Sequence, residues 1–522
     1  MHTIRVDVGA SKGRIAEAIY GHFAEHLGRG IYEGIWVGPQ SSIPHIDGIR
    51  TDVVEALKAI KVPVIRWPGG CFADEYHWKD GIGPVEERRA MVNRHWGQVL
   101  DDNHFGTHEF FRLCELVGCE AYVAGNVGSG TVQEMTEWVE YMTGPETSPM
   151  GALRARNGHP DPWAVKFFGV GNESWGCGGN MRPEYYADVY RRYQTFLPQY
   201  RSDHRMQKIA SGSHDGDMDW TEVLMREAAA QMDGLSLHYY TIPSTWEHKG
   251  SATNFGLEEW FTTLKKALVL EDWIQMHGEV MDRYDPTRTV GLVVDEWGTW
   301  YDVEPGTHPG FLYQQNTLRD ALVAAVSLNI FNNHCDRVMM ANLAQTVNVL
   351  QALILTQGAA MITTPTYQVF RLYAVHQGNR QVATKISTRD YSVGGEAIDQ
   401  LHASASQDAG GVVHLSVVNL HPQKAASIQI SMHQGDAPWG IAEASAEVLS
   451  APEITSKNTW DTPNQVRIQP LTGIGVRENW LDVTLPAKSV VELRVVPMAA
   501  APGHDEPSGS RHQVGAGKGG KG

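Results

Sequence analysis

Two glutamates occupy equivalent places in this sequence, each at the end of a short apolar run. Glu173 ends residues 165–173, and Glu296 ends residues 290–296. A carboxylate that ends a buried parallel strand is held at the mouth of an α/β barrel, where the loops after the strands form a site. Two carboxyl groups about 5 to 5.5 Å apart can hydrolyse a glycosidic bond. The pair therefore predicts glycosidase chemistry, although either glutamate alone could equally be a salt-bridged strand end.

Aromatic and polar side chains near predicted strand ends fit a sugar site. Trp175, Trp297 and Trp300 flank the two glutamates, and aromatic faces are apolar platforms for sugar C–H surfaces, although a large barrel also has core tryptophans. Arg66 could hold a neighbouring carboxylate in its ionised form or make a structural ion pair. Neutral side chains that could bind hydroxyls, or instead cap helices and loops, are Asn172, His238, Tyr240 and Gln345.

One segment offers a competing interpretation as a metal site. His22-Phe-Ala-Glu25-His26 matches the H-x-x-E-H pattern of zinc peptidases. That chemistry needs both histidines on one face of a helix, whereas glycines on either side make this segment too short and too broken for one. We therefore expect no metal here, and we expect Glu25 to accept a hydrogen bond from a hydroxyl.

The elements that would position these residues alternate in type along the chain. Between residues 19 and 376, short apolar runs alternate with amphipathic helical stretches, which predicts repeated βα units. Helices are expected at residues 51–60, 108–117, 183–196, 221–232, 257–284, 315–332 and 366–376. Eight runs, the number of a (β/α)8 barrel, are found at residues 19–26, 62–69, 120–127, 165–173, 208–214, 235–241, 290–297 and 337–345.

After Gly378 the pattern changes to alternating strands separated by turns, for example at residues 411–420, 426–432 and 489–496. This pattern predicts an antiparallel, jelly-roll-like β-sandwich. The predicted domains are thus a barrel at residues 19–377 and a sandwich at 378–498. Residues 499–522 are too polar and glycine-rich to bury a core, so a disordered tail is expected there.

Composition limits the possible partners. A chain of 522 residues exceeds what one hydrophobic core usually organises, in keeping with two domains. The formal net charge of −17 argues against nucleic acid or an anionic membrane and favours a neutral substrate. The N-terminus has no apolar stretch of signal-peptide length, and no window is apolar enough to span a bilayer. These features predict a cytoplasmic protein, unless a leader was removed.

The five cysteines form neither a zinc ribbon nor an obvious disulfide framework. They are Cys71, Cys114, Cys119, Cys177 and Cys335, an odd number without a Cys-x-x-Cys pair. Cys71 and Cys177 both follow predicted strands in glycine-rich loops, which could bring them together over the site. In a reducing compartment, free thiols are the expected state.

Several segments together resemble glycoside hydrolase family 51, the α-L-arabinofuranosidases, in the family's order and across nearly the whole chain before the tail. The Asn172-Glu173 pair alone would indicate only the wider clan of barrel glycosidases. The segments that carry the resemblance are Gly21-His-Phe-Ala-Glu25-His26, Arg66-Trp-Pro-Gly-Gly70, Gly169-Val-Gly-Asn172-Glu173, Ser236-Leu-His238-Tyr-Tyr240, Asp295-Glu-Trp-Gly-Thr-Trp300 and Asn342-Leu-Ala-Gln345.

The resemblance implies that Glu173 is the acid/base and Glu296 the nucleophile of a retaining double displacement. It implies that Asn172 contacts the 2-hydroxyl of the sugar and that Arg66 lies beneath the nucleophile. It also implies that a strand from residues 1–18 joins the sandwich. The other residues that it assigns to a pocket for a terminal arabinofuranose, or to its opening, are Glu25, Tyr240, Gln345, Trp96 and Trp300.

One position departs from the common pattern. Many family members have asparagine where this chain has Cys71, and a thiol lacks the two donors and the strong acceptor of an amide. Cysteine is also a variant at this position, so Cys71 is a candidate sugar contact, and Cys177 makes a disulfide across the site a hypothesis.

The expected activity is an exo-acting α-L-arabinofuranosidase that acts on arabinoxylan, arabinan and derived oligosaccharides. The resemblance implies no metal or organic cofactor, and it implies a homo-oligomer such as a hexamer. The alternatives are a β-xylosidase, an endo-β-1,4-glycanase, a non-catalytic carbohydrate-binding protein and the zinc peptidase.

Overall fold

A closed barrel of eight parallel strands dominates the computed structural model, which describes residues 2–498. Neighbouring strands pair in chain order, and the last pairs with the first to close the barrel. The strands are β1 (Gly21–Phe23), β2 (Val64–Trp67), β3 (Glu120–Gly125), β4 (Phe167–Val170), β5 (Gln207–His214), β6 (Gly234–Thr241), β7 (Gly291–Thr299) and β8 (Val338–Ala344). The predicted (β/α)8 barrel is confirmed, and each strand coincides with a predicted run to within three residues at its ends.

The helices pack around this barrel. They are α1 (Thr51–Ala59), α2 (Thr107–Val117), α3 (Val132–Thr143), α4 (Pro149–Arg156), α5 (Pro183–Thr195), α6 (Met218–Ala228), α7 (Leu257–Tyr284), α8 (Leu318–Asn333) and α9 (Pro365–Tyr373). The local sequence explains where several helices begin. Thr131 Oγ1 accepts the Glu134 N–H at the start of α3, and Pro183 is the first residue of α5, where its missing N–H costs no helical hydrogen bond. Helices α3 and α4, which both lie in the connection from β3 to β4, were not among the predicted helices.

Helix α8 is buried along almost its whole length because it lies between the barrel and the second domain. Asn332 Nδ2 donates to Ser404 Oγ at 3.1 Å, and Asn333 Nδ2 donates to the Ala403 carbonyl at 3.0 Å. From α7, Trp260 Nε1 donates to the Leu420 carbonyl at 3.0 Å. These hydrogen bonds, two of which are fully buried, fix the sandwich against the side of the barrel, away from its mouth.

The second domain is a sandwich built from one continuous strand order. In that order the strands are Ile468–Leu471, Ile441–Leu449, Ser489–Pro497, Val413–Asn419, Leu401–Gln407, Arg380–Ser387, His2–Asp7, Ala426–Gln434, Trp480–Leu485 and Gly475–Arg477, with Ala437–Pro438 added beside Ala426–Gln434. Arg380–Ser387 pairs at one end with Leu401–Gln407 and at the other with His2–Asp7. Side chains from both halves share one apolar core.

The N-terminal strand departs from a purely antiparallel sandwich. His2–Asp7 pairs antiparallel with Arg380–Ser387 but parallel with Ala426–Gln434. Within residues 2–498, the other strand pairs of this sheet are antiparallel. A parallel partner is possible because His2–Asp7 enters from the far end of the sequence, so that no tight turn has to connect the two strands.

Short elements complete residues 2–498. Hairpins join His45–Ile46 with Ile49–Arg50, Met91–Asn93 with Val99–Asp101, Ile354–Gln357 with Ala360–Thr363, and Asp390–Val393 with Glu396–Asp399. Single 3-10 turns cover Glu17–Tyr20, Cys71–Glu75, Trp78–Gly81, Val85–Glu87, Ala229–Gln231, Pro309–Phe311 and Ala374–His376. Within the described range, every helix is too short or too polar to cross a bilayer. The tail expected at 499–522 lies outside the described residues.

The N-terminal strand should contribute measurably to stability. Ile4 is buried in the sandwich core, whereas the neighbouring Thr3 is exposed. We expect Ile4→Ala to lower the free energy of unfolding by about 2 to 5 kcal/mol, because it leaves a cavity between two strands. Denaturant unfolding followed by circular dichroism measures this change, with Thr3→Ala as the control. Equal stability of the two variants would contradict the assignment of this strand to the core.

Candidate active site

The two predicted glutamates meet at the mouth of the barrel. Glu173 follows β4 in the loop towards α5, whereas Glu296 lies within β7 rather than at its end. One carboxylate oxygen of each glutamate and a ring nitrogen of His238 all lie within 4.8 Å of one another. His238 Nδ1 is 2.8 Å from Glu173 Oε1 and 3.5 Å from Glu296 Oε2. The two carboxyl groups are therefore close enough to act on one bond.

Glu296 is held at both oxygens. Arg66 Nη1 donates to Glu296 Oε1 at 2.9 Å, and the Tyr240 hydroxyl donates to Glu296 Oε2 at 2.9 Å. Burial raises the pKa of Glu296, while the positive charges of His238 and Arg66 oppose that rise. Two donors and two adjacent cations favour the ionised carboxylate and fix its orientation.

His238 lies between carboxylates on both sides of its ring. Its Nδ1 faces Glu173, and its Nε2 is 3.1 Å from Asp295 Oδ1. Burial alone would lower the pKa of His238, but Glu296, Asp295 and Glu173 together raise the pKa to about 10. His238 is therefore an imidazolium at neutral pH and donates from both nitrogens.

Asp295 belongs to the same buried network, although it was not among the predicted site residues. Besides His238, it accepts the Tyr122 hydroxyl at 2.7 Å and lies 3.7 Å from Arg66 Nε. A carboxylate inside an apolar strand must be paired, because an isolated buried charge is costly. The presence of an aspartate in the apolar run before Glu296 could therefore have identified Asp295 as a site residue. Nothing in the sequence around Tyr122 indicates that it pairs with Asp295.

The turn that contains Glu173 is held in place by hydrogen bonds to the buried side chain of Asp74. Gly171 and Glu173 both have positive φ, at 88° and 40°. Asp74 Oδ2 accepts the Asn172 N–H at 3.1 Å, and Asp74 Oδ1 accepts the N–H groups of Val127 and Gly128 at 2.8 Å. Burial raises the pKa of Asp74 to about 7, and these N–H donors oppose the rise. Asp74 was not foreseen, because its role depends on loops that are distant in sequence.

The predicted contact residue Asn172 faces inward. Its side chain is buried, and its Oδ1 accepts from Arg66 Nη2 at 2.6 Å. Its Nδ2 lies 3.9 Å from Cys177 Sγ. Arg66 thus links Asn172, beside the first glutamate, to the second glutamate through one guanidinium.

Cys71 and Cys177 form a disulfide across the site, with an S–S distance of 2.12 Å. The expectation of free thiols is wrong for these two residues, because the loops after β2 and β4 bring them together. It holds for the free cysteines Cys114, Cys119 and Cys335. The bridge touches the first glutamate, since Cys177 Sγ lies 3.4 Å from Glu173 Oε2.

Glu25 lies at the base of the site, where three N–H groups converge on it. Its Oε1 accepts from the backbone of Gly70 at 2.8 Å and of Phe72 at 3.1 Å, and its Oε2 accepts from Gln345 Nε2 at 3.0 Å. Burial and the charge of Glu296 raise the pKa of Glu25 to about 7, against the effect of these donors.

The zinc-peptidase alternative lacks its geometry. His22 lies in strand β1 and packs against the Phe370 ring, with 4.6 Å between ring centroids. His26 instead pairs with Asp101, whose Oδ2 is 2.6 Å from its Nδ1. The two histidines therefore occupy different environments rather than one face of a helix. Within residues 2–498, two other groups of side chains could hold a metal. One is Glu173 with His238 and Glu296, where His238 already contacts both carboxylates, and the other is Glu173 with the bridged sulfurs of Cys71 and Cys177.

A cavity of about 390 Å³ opens onto these groups. All of the predicted site residues line it except Arg66 and Asn172, which are buried beside it. Trp297 does not flank the cavity as expected, because it is buried against Phe331 and Phe370 in the core. The lining residues are Glu25, Leu27, Gly70, Cys71, Trp96, Glu173, Trp175, His214, Asp215, His238, Tyr240, Trp246, Glu296, Trp300, Leu312, Gln345 and Leu350.

Aromatic side chains form one wall of the opening. The Trp300 ring packs edge-on against Tyr240 at 5.0 Å and against Trp246 at 5.4 Å, measured between centroids. Trp246 was not predicted, because it lies in an irregular loop with no strand or motif beside it. On another side, Trp175 packs against His214 at 4.2 Å. Such a wall suits the apolar faces of a sugar.

A pair of carboxylates at the carboxyl end of an eight-stranded barrel, inside an aromatic-lined cavity, defines the class as a barrel glycoside hydrolase. Comparison with known proteins supplies the family. The α-L-arabinofuranosidase 1 domain matches residues 56–265, and the α-L-arabinofuranosidase C-terminal domain matches residues 295–489. An intracellular exo-α-L-arabinofuranosidase of Bacteroides ovatus is 51% identical over 494 residues, which cover 94% of this chain and 95% of the relative.

Solved structures of similar proteins indicate the same family. The family 51 arabinofuranosidase from Xanthomonas axonopodis pv. citri is 48% identical with a TM-score of 0.93, covering 95% of this chain and 100% of that one. The α-L-arabinofuranosidase from Thermotoga maritima, solved as an arabinose complex, is 31% identical with a TM-score of 0.83 and the same coverage. The chain belongs to glycoside hydrolase family 51, the α-L-arabinofuranosidases.

Gly70 is required by the close approach of the Glu296 carboxylate. A Cβ at this position would lie 2.5 Å from Glu296 Oε1. We expect Gly70→Ala to displace that carboxylate and to lower kcat on an aryl arabinofuranoside about 100-fold, the usual effect of a misplacement near 1 Å. Gly176→Ala is the matched control, because its Cβ would make only a 3.7 Å contact. Similar kcat values for both variants would show that this packing does not position Glu296.

Proposed function

We propose that this protein is an exo-acting α-L-arabinofuranosidase. Its substrates would be terminal non-reducing α-L-arabinofuranosyl residues of arabinoxylan, arabinan and their oligosaccharides. The observation that carries the proposal is the carboxylate pair, whose oxygens lie within 4.8 Å at the end of a small cavity. The relative from Bacteroides ovatus is named an exo-acting enzyme, which supports the same mode of action here.

Glu296 is the proposed nucleophile. It would attack the anomeric carbon as a carboxylate, and Arg66 and Tyr240 would hold its two oxygens in line with that carbon. Glu173 would protonate the leaving oxygen in the same step. The short separation of the two carboxyl groups favours a retaining path, because inverting enzymes leave about 6.5 to 9.5 Å for a water molecule.

Glu173 would change role in the second step. Once the leaving group has departed, its carboxylate would take a proton from water, which then releases arabinose from Glu296. Oε1 of Glu173 is occupied by the His238 Nδ1–H, so Oε2 is the oxygen left to carry the proton. His238 would therefore be a positioning residue that directs Glu173 without touching the sugar.

Glu25, Gln345, Trp96 and Trp300 would bind the arabinofuranosyl ring, since they line the same cavity. Asn172 would reach the 2-hydroxyl only through its Nδ2, because its Oδ1 is taken by Arg66.

Cys71 would contribute an apolar surface rather than a hydrogen bond. Its sulfur is joined to Cys177 and also lies beside Glu173. A disulfide has no S–H to donate and accepts only weakly. The amide that many family members have at this position would therefore have no functional equivalent here.

We propose an intracellular location, in line with the name of the Bacteroides ovatus relative. Intracellular substrates would be oligosaccharides small enough to be imported. The net charge of −17 suits neutral glycans and argues against nucleic acid or an anionic membrane as a partner. A homo-oligomer, as in other members of the family, remains our expectation.

The nucleophile is tested by Glu296→Ala with 4-nitrophenyl α-L-arabinofuranoside. We expect loss of nearly all turnover, because the substitution removes the carboxylate that Arg66 and Tyr240 hold in place. Glu258→Ala, at an exposed position on α7, should keep wild-type turnover. The β-D-xylopyranoside is assayed alongside. Turnover of the xyloside alone would favour a β-xylosidase, whereas no turnover of either substrate by the wild type would favour an endo-glycanase or a binding protein.

The acid/base role is tested by Glu173→Ala on aryl arabinofuranosides of graded leaving-group pKa. We expect a loss of about 100-fold to 10,000-fold for poor leaving groups and a much smaller loss for good ones, which need little protonation. Added azide should restore turnover of the activated substrate and give an arabinosyl azide of retained configuration. An equal loss across the whole series would contradict this role.

A further inference from the structure

Two sulfur atoms and one carboxylate oxygen converge at the wall of the cavity. Cys177 Sγ lies 3.4 Å and Cys71 Sγ 3.9 Å from Glu173 Oε2. All three atoms lie within 4.8 Å of one another. In the structure the sulfurs are joined to each other, so neither is a thiolate able to bind a cation. Reduction would change that, because it would create two thiols beside a carboxylate.

The positions of these atoms resemble those of zinc ligands. Tetrahedral zinc has Zn–S bonds of about 2.3 Å and Zn–O bonds of about 2.0 to 2.2 Å, which place sulfur and oxygen ligands about 3.5 Å apart. The two distances from Glu173 Oε2 to the sulfurs already fall close to that value. Only the two sulfurs would have to separate once their bond is broken.

Hydrogen bonds around the three atoms suit a metal site. His238 donates to Glu173 Oε1 at 2.8 Å and leaves Oε2 free to face the sulfurs. Ligating carboxylates are commonly held by such outer hydrogen bonds. Asn172 Nδ2 lies 3.9 Å from Cys177 Sγ and directs an N–H towards it, which would stabilise a thiolate.

A small solute can reach these atoms from the cavity. Both Cys71 and Glu173 line it. An accessible disulfide is open to attack by a reductant, and disulfides are rare in reducing compartments. The fourth coordination position would point into the cavity, where water can occupy it.

We propose that reduction of the Cys71–Cys177 disulfide creates a site for a soft divalent cation, such as Zn²⁺, held by both sulfurs and Glu173. Thiolates and a carboxylate are ligands that zinc accepts. The site belongs to the dithiol state alone, because the disulfide offers no thiolate.

The chemistry balances with a thiol or phosphine as reductant. A phosphine supplies two electrons that break the S–S bond and becomes a phosphine oxide, while one water molecule supplies the oxygen and two protons for the thiols. Zn²⁺ then displaces both thiol protons to solvent and forms two Zn–S bonds. Glu173 Oε2 supplies the third protein ligand, and no further electron transfer is needed.

Metal binding would stop turnover through the acid/base residue. A Glu173 oxygen bound to zinc can neither carry the proton for the leaving group nor accept one from water. This consequence rests on the proposed function, whereas the binding of zinc does not. The two can therefore be measured separately.

Zinc binding is measured on the full chain after reduction with a trialkylphosphine and its removal under anaerobic conditions. Competition with a chromophoric chelator should reveal one zinc site in the reduced protein that the oxidised protein lacks. Co²⁺ in its place should give a thiolate-to-cobalt charge-transfer absorption. The oxidised protein accounts for any zinc held by Cys114, Cys119 and Cys335, which are free thiols in both states.

Variants locate the site. Cys177→Ser should lose the additional zinc site, whereas Cys335→Ser, which alters a distant free cysteine, should keep it. A reduced protein that binds no additional zinc, or a reduced Cys177→Ser protein that binds it as tightly as the wild type, would overturn the proposal.

Activity supplies the second readout. One equivalent of Zn²⁺ should lower turnover of an aryl arabinofuranoside with a poor leaving group by about 100-fold or more in the reduced protein. It should leave the oxidised protein active, and a chelator should restore the loss. Stoichiometric zinc binding without loss of turnover would support the site and contradict the acid/base role of Glu173.

Discussion

The pairing of buried charges at the barrel mouth is the constraint on which the rest of the site depends. Arg66 and His238 are surrounded by Asp295, Glu296 and Glu173, and all of these groups except Glu173 are almost completely buried. Ionised groups out of water are stable only when each has a partner in good geometry. Moving any one of the four buried groups would leave another without its partner, and His238 in this network also bonds to Glu173.

The fold supplies this network by bringing distant parts of the sequence to one end of the barrel. Arg66 comes from β2, His238 from β6 and Glu296 from β7. Parallel strands present their carboxyl ends at the same edge, so residues far apart in sequence become neighbours. The sandwich contacts the barrel through α8 and α7, on its side, which leaves the mouth open to substrate.

Much of this was predictable, because apolar runs alternating with amphipathic stretches specify buried strands and covering helices. The strand-end residues Glu173, His238 and Gln345 could be selected because a strand end fixes where a side chain lies. Trp297 was misplaced, because a strand that continues past its apolar run keeps alternating between faces, and this residue turns towards the core. A sequence pattern alone does not show where such a strand stops.

Other parts of the site depend on loops whose sequences have no hydrophobic periodicity, so their conformations could not be predicted. The Cys71–Cys177 bridge, the Asp74 hydrogen bonds and the Trp246 contact all join segments that are distant in sequence and adjacent only in the folded barrel. A disulfide partner in particular is decided by distance in space, not by spacing in sequence. The N-terminal strand's parallel pairing is of the same kind, since its partner is more than 400 residues away.

The central claim is that Glu296 forms a covalent bond to the sugar, and trapping that bond tests it most directly. The protein would be incubated with an activated 2-deoxy-2-fluoro arabinofuranoside, which slows release of the intermediate, and then digested for peptide mass spectrometry. The account predicts one fluorosugar per chain, attached at Glu296 in strand β7. A label on Glu173 or on another residue, or turnover of the activated substrate with inverted configuration and no label, would contradict it.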